Sequence, residues 1–234
     1  MLLQVGSVLN YESDSSGGFD ALSASKKAGI FVLADGANSS PAGGRASRLA
    51  VETITHEIRS NPEITPAEAF DIAHSKIKTT TPIATGTTCV SVRVNESLSI
   101  HTCGDSLAEV YSCYFIFGWQ LVKKSTPDIL ADGDSPSQLL GSDVYYGPAE
   151  LRIDIRRKTL VLMMTDGAYK FTSAGERRKL VAKLTREIPS ESDLDFLARC
   201  LAELAYKNGS RDDISAIFIW LDPNRDEKNI YQNV

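Results

Sequence analysis

The residues in this chain best placed to do chemistry are aspartates at the ends of apolar runs. Ile30-Phe31-Val32-Leu33-Ala34 leads directly into Asp35-Gly36, His101-Thr102-Cys103-Gly104 into Asp105-Ser106, and Leu162-Met163-Met164-Thr165 into Asp166-Gly167. A fourth group, Arg211-Asp212-Asp213, stands just ahead of the apolar run 214–221. A carboxylate at the edge of a buried strand is held rigidly beside a low-dielectric core. Several that converge repel one another unless a cation lies between them. With oxygen ligands and no matching histidine or cysteine set, that cation would be hard, Mg²⁺ or Mn²⁺. Two such ions can deprotonate a water and neutralise charge on a transferring phosphoryl group. Any single Asp-Gly after a strand also reads as an ordinary turn. On the residues alone, turn and ligand both stay open.

The elements that must position these acids are mostly short β-type runs, expected over 2–9, 19–23, 29–34, 87–94, 98–103, 108–115, 151–155, 159–165 and 214–221. The alternation of Val90, Val92 and Val94 with Leu98 and Ile100 about Asn95-Glu96-Ser97 predicts a hairpin. A second hairpin turn, carrying Arg156-Arg157-Lys158, is expected over 154–159. Helices are expected from about 43 to 60, stopped by Asn61-Pro62, and again from Thr65-Pro66-Ala67-Glu68, where Thr caps and Pro takes the first helical position. A second helical block covers 173–188 and 190–207 and closes at Asn208-Gly209. This order predicts helices packed outside antiparallel sheets rather than a βαβ alternation. The Gly- and Pro-rich stretch 125–147 reads as a flap over a surface, and 222–234 as a polar tail behind one domain over 1–221.

Thirty acidic against 25 basic residues give a net charge of −5, which argues against nucleic acid as the main partner. An apolar share of 42% suits a globular rather than a disordered chain. No run approaches the roughly 18 apolar residues of a membrane span, and the opening Met1-Leu2-Leu3-Gln4-Val5-Gly6 lacks a signal-peptide pattern. Cys89, Cys103, Cys113 and Cys200 form no C-x-x-C pair and read as buried small hydrophobes. A cytoplasmic protein with no nucleic-acid or membrane partner is expected.

Taken in order, the motifs resemble the metal-dependent protein Ser/Thr phosphatases of type 2C, the PPM family, over nearly the whole chain. The segment 31–47 is similar, without a gap, to the family's V-A-D-G-x-G-G-x-x-x-G-x-x-A-S. Gly86-Thr87-Thr88 with Gly104-Asp105-Ser106 resembles its G-T-T…G-D-S-R pair, and Leu162-Met163-Met164-Thr165-Asp166-Gly167 its apolar-S-D-G strand. Gly209-Ser210-Arg211-Asp212-Asp213-Ile214-Ser215 resembles its G-x-x-D-N-[IV]-[ST] element. The resemblance implies an α+β fold, a β-sandwich of two antiparallel sheets flanked by helices in four αββα layers. It implies a binuclear Mn²⁺/Mg²⁺ centre in which Asp35 bridges both ions, the Gly36 carbonyl holds one, and Asp166 and Asp212 hold the other. Asp105 would match the acid tied to a third, looser ion, and Asp14 an acid beside the metals. The implied reaction is hydrolysis of phosphoserine or phosphothreonine by in-line attack of a metal-bridging water. The absence of a Cys-x₅-Arg loop and of a histidine pair agrees with it. The small size resembles the compact bacterial members, which implies a phosphorylated protein, a Ser/Thr kinase or its targets, as partner; a monomer is expected.

The departures fall on the phosphate side. The family opens with G-x-x-R-x-x-N-x-D, and gapless alignment of 6–14 keeps the acid as Asp14 but puts Leu9 at the arginine. Loss of a bidentate guanidinium costs phosphate affinity, about 2 kcal/mol. What binds phosphate in its place is left unassigned: Arg45 and Arg48 at the start of the first helix are candidates, and both read first as ordinary surface or packing arginines. Asn38 and Ser39 replace two family glycines, and Leu107 replaces the arginine of G-D-S-R. These changes keep a rival open: a non-catalytic module that retains the fold and binds phosphoproteins. Retention of Asp14, Asp35, Asp105, Asp166 and Asp212 weighs against it. A hydrolase of small phosphoesters would use the same metal chemistry.

Overall fold

Aliphatic and β-branched side chains alternate between two faces along the strands of this chain, and both faces find cover. The computed structural model describes residues 1–11, 18–37, 40–81, 85–184 and 187–225. One sheet contains β1 (Leu2–Tyr11), β6 (Leu107–Tyr114), β7 (Gly118–Lys124), β9 (Thr159–Met164) and β10 (Ile214–Asp222), in the order β1-β10-β9-β6-β7. The other contains β2 (Ala21–Ser25), β3 (Ile30–Ala34), β4 (Cys89–Val94), β5 (Leu98–Cys103) and β8 (Ala149–Ile153), in numerical order. Every described pairing is antiparallel.

Ile217, Ile219 and Leu221 of β10 share the core between the sheets with Phe31, Val92 and Ile100. The intervening Ala216, Phe218 and Trp220 pack outward with Leu194, Leu197 and Leu201 of α5 (Glu191–Lys207). On the opposite outer face Ile30, Val32 and Ala34 pack with Ala50 and Ile54 of α1 (Pro41–Ser60) and Phe70 and Ile77 of α2 (Pro66–Thr80). The result is the expected α+β sandwich, four layers deep. Caps set the helix starts: Ser40 Oγ accepts from Gly43 N, and Thr65 with Glu68 closes a capping box ahead of α2. Similar boxes, Ser173/Glu176 and Ser190/Asp193, open α4 (Ala174–Val181) and α5. Among the described residues no helix is long and apolar enough to cross a membrane.

Three local expectations change. The helix expected over 173–188 ends at Val181, and the single turn α3 (Asp166–Tyr169) follows β9 directly. β7 is an additional strand, a half-exposed edge. The stretch 154–159 is no hairpin turn: β8 pairs with β5 and β9 with β6 and β10, so the chain changes sheets there.

Candidate metal centre

Register brings the acids to one end of the sandwich. Ala34 faces Ala21, so Asp35 leaves β3 where Asp20 enters β2. Met164 lies between Leu107 and Ala216, which sets Asp166 near the loop holding Asp105 and the turn holding Asp212. The threonine and serine residues of the motifs fix these turns. The Asp35 carbonyl accepts from Thr88 N at 2.9 Å and from Thr87 Oγ1 at 2.6 Å. Ala37 N donates to the Gly86 carbonyl at 3.1 Å. The Thr88 and Ser106 hydroxyls share a hydrogen bond of 2.7 Å. Thr165 Oγ1 donates to Asp20 Oδ2 at 3.2 Å and accepts from Ser215 N at 3.2 Å. Glycine is required where backbones touch: a Cβ on Gly36 would lie 2.4 Å from the Gly43 carbonyl carbon, and one on Gly43 2.2 Å from the Ala37 oxygen.

Asp35, Asp105, Asp166 and Asp212 line a cleft of about 850 Å³, with the Gly36 backbone among them. Asp20 is buried behind it, only 4% exposed. Burial above all, and then Asp20, Asp166 and Asp212, hold the Asp35 carboxyl well above the usual carboxylate range. Burial likewise raises Asp20, reinforced by Asp213 and Asp212 against hydrogen bonds from Ser215 and Thr165. Burial and Asp166 raise Asp212. Asp105 is pushed up to about 6 by burial and by Asp166, with Lys170 pulling the other way. Asp20 Oδ1 and Asp166 Oδ1 are buried without a hydrogen-bond partner. Among the described residues no three acidic, histidine or cysteine side chains close into a ready ligand cage. The donor set nevertheless fits a hard divalent cation: oxygens only, mutually repelling, two of them buried and unpartnered.

Lys170, one turn beyond Asp166, reaches into the cleft; its Nζ lies 3.0 Å from Asp166 Oδ2, 3.2 Å from Asp105 Oδ2 and 3.2 Å from Asp134 Oδ1. Arg211 also lines the cleft, its guanidinium 5.2 Å above the Tyr206 ring. Arg45 and Arg48, the two candidates weighed for the missing arginine, lie exposed on α1 and are not in the cleft lining, as ordinary surface arginines would. Leu9 is exposed on β1. Asp14, Asn38 and Ser39 lie outside the described residues. Asp20 falls inside the strand expected over 19–23, whereas β2 begins at Ala21 and leaves Asp20 at its mouth; only the pairing of β2 with β3 sets it beside Asp35. The sequence reading passed over Lys170, although Asp166-x-x-x-Lys170 has the spacing of a helical ion pair.

These shifts set a pH dependence. A carboxyl whose folded pKa lies above its unfolded one keeps its proton longer when folded, so stability is lost as pH rises between the two values. For Asp105 that window runs from 3.8 to about 6. The protein in EDTA is therefore expected to unfold at lower urea concentration at about pH 7 than at about pH 5, with on the order of 1 kcal/mol from Asp105 alone. Saturating Mg²⁺ is expected to remove the part of the difference that Asp35 and Asp212 contribute; a urea midpoint that rises with pH in EDTA would contradict the repelling cluster.

No protein-family profile matches the chain, and no curated protein matches it either. Solved structures do. PppA of Pseudomonas aeruginosa, described as a key regulatory component of T6SS, is 17% identical, with a TM-score of 0.75 over 94% of this chain and 97% of that one. The serine/threonine phosphatase Stp1 of Staphylococcus aureus is 16% identical, with a TM-score of 0.75 over 95% and 96%. The catalytic domain of the serine threonine protein phosphatase PstP, solved with two manganese ions, is 18% identical, with a TM-score of 0.69 over 94% and 99%. Two helix-flanked antiparallel sheets in this order, superposing on such proteins over nearly their full length, give the chain the fold of the PPM-type serine/threonine phosphatases.

Proposed function

We propose that the chain is a Mn²⁺- or Mg²⁺-dependent phosphatase that hydrolyses phosphoserine and phosphothreonine in proteins. The observation that supports this most is the gathering of Asp20, Asp35, Asp166 and Asp212 at one sandwich end, with two buried carboxylate oxygens left unpartnered. Such a cluster costs folding free energy unless a cation offsets it. Asp35, the Gly36 carbonyl, Asp166 and Asp212 are the groups that would hold two ions. When bound, the ions would supply an activated water and screen the phosphoryl charge.

The chain's own residues do the rest. Asp20, held by Thr165, crowds the carboxylates around Asp35 and fixes the shape of the acid end. The Thr87 and Thr88 contacts hold the Asp35 turn rigid. Arg211, with no carboxylate partner among the described residues, offers a planar fork to phosphate oxygens at the cleft mouth, in place of the arginine that Leu9 replaces. A phosphorylated protein, a Ser/Thr kinase or a kinase target, is the partner this reading requires, and a cytoplasmic monomer its working form.

The test is hydrolysis of p-nitrophenyl phosphate and of a phosphothreonine peptide, with Mn²⁺ and with EDTA. Turnover is expected with Mn²⁺, lost in EDTA and regained on adding metal back, with the higher kcat/KM for the peptide. One observation favours the rival binding module: the Lys170 ammonium already contacts Asp166. That module would bind the phosphopeptide in a calorimeter and release no phosphate. Preference for the small ester would instead favour a hydrolase of small phosphoesters.

A further inference from the structure

Asp166 is used on two sides. Its Oδ2 is paired with the Lys170 ammonium at 3.0 Å, while its Oδ1 is buried without a partner. The same ammonium lies 3.2 Å from Asp105 Oδ2 and 3.2 Å from Asp134 Oδ1, and donates to the Asp134 carbonyl at 2.8 Å. An ammonium has three hydrogens, and these four oxygens use them fully. The position is built rather than incidental. Lys170 N donates to the Asp166 carbonyl at 3.0 Å and closes the α3 turn, so the side chain leaves one turn beyond Asp166 and folds back over it. Asp105 is 2% exposed and sits behind Gly104, whose φ of 83° turns the chain sharply at the end of β5.

A divalent ion on Asp105 would lie about 2.0–2.6 Å from its oxygen. An ion seated between Asp105 and Asp166 would have to take the place the ammonium now fills, so there the two cations compete. We infer that Lys170 is a tethered cation that fills the Asp105 side of the acid cluster in place of a metal ion, leaving Asp35, Asp212 and the free oxygen of Asp166 as the ion-binding side. The inference rests on the cluster being a metal centre. It replaces the further ion expected at Asp105 with a charge the chain carries itself. The protein therefore needs one ion fewer to neutralise its buried acids, and its ion uptake is independent of Asp105.

Mn²⁺ bound per chain, counted by equilibrium dialysis with elemental analysis, tests this in the wild type, Lys170→Ala, Lys170→Arg and Asp105→Asn. Lys170→Ala is expected to take up one Mn²⁺ more than the wild type. Its metal-free melting temperature should fall by several degrees and recover in saturating Mg²⁺. Lys170→Arg, which keeps the cation, should match the wild-type count. Asp105→Asn should also match it, which keeps the question answerable if Lys170→Ala does not fold. Loss of one ion in Asp105→Asn, or equal counts in the wild type and a folded Lys170→Ala, would overturn the inference and leave the metal centre standing. No ion bound by any of the four proteins would overturn the metal centre, and the inference with it.

Discussion

Asp35→Asn is expected to lower Mn²⁺-dependent phosphoester hydrolysis at least about a thousandfold, a barrier increase of about 4 kcal/mol, while raising the stability of the metal-free protein. The two effects have one cause. Asp35 stands half-buried where the fields of Asp20, Asp166 and Asp212 add up, which a structural acid would avoid. Asparagine keeps the shape and removes the charge, so it relieves the repulsion and takes away a carboxylate of the proposed ion-binding set. Its backbone contacts to Thr87 and Thr88 involve the carbonyl and survive the change. The gain in urea midpoint, measured in EDTA, should grow with pH, because the wild-type carboxyl ionises against its neighbours as pH rises. An aspartate that served only to shape a turn would behave in the opposite way, with activity kept and stability reduced. That outcome would remove Asp35 from the site.

The parts of this site legible in the sequence are those whose chemistry is local. An apolar run ending in Asp-Gly must leave a sheet there, and Gly86-Thr87-Thr88 and Gly104-Asp105-Ser106 are short enough to be read as turns with hydroxyls to spare. What they hold was not legible, because Thr87 grips a residue 52 positions away. Asp20 depended on strand register, since β2 is only five residues long and its neighbour is set by pairing with β3. Lys170 depended on the loop after β7, which delivers Asp134 to it. The sheets themselves followed from alternation, but pairing did not: a short basic link between two strands looks like a hairpin until the partners of each strand are known. β7 was missed for a related reason, since an edge strand with one buried face, around Trp119, carries only half of a hydrophobic pattern.

Glu109→Ala carries the largest stability cost expected outside the site, about 3–5 kcal/mol or a fall of about 10 °C in Tm. Glu109 is 1% exposed on β6 and takes two hydrogen bonds from Arg177, at 2.7 and 3.1 Å, and one from the Tyr111 hydroxyl at 2.6 Å. Truncation leaves the buried guanidinium without its counter-charge, whereas Glu109→Leu with Arg177→Met removes both charges and should recover most of the loss. The pair also bears on the site. Arg177 donates to the carbonyls of Tyr169 and Thr172, at and just past the end of α3, the turn that begins with Asp166 and is closed by Lys170. Mn²⁺ affinity should therefore weaken in the double variant even where Tm has recovered, since apolar side chains refill the space but leave those carbonyls unheld. Recovery of both together would make the Glu109–Arg177 pair part of the core and nothing more; recovery of Tm alone would make Arg177 a positioning residue for the acid end of the sandwich.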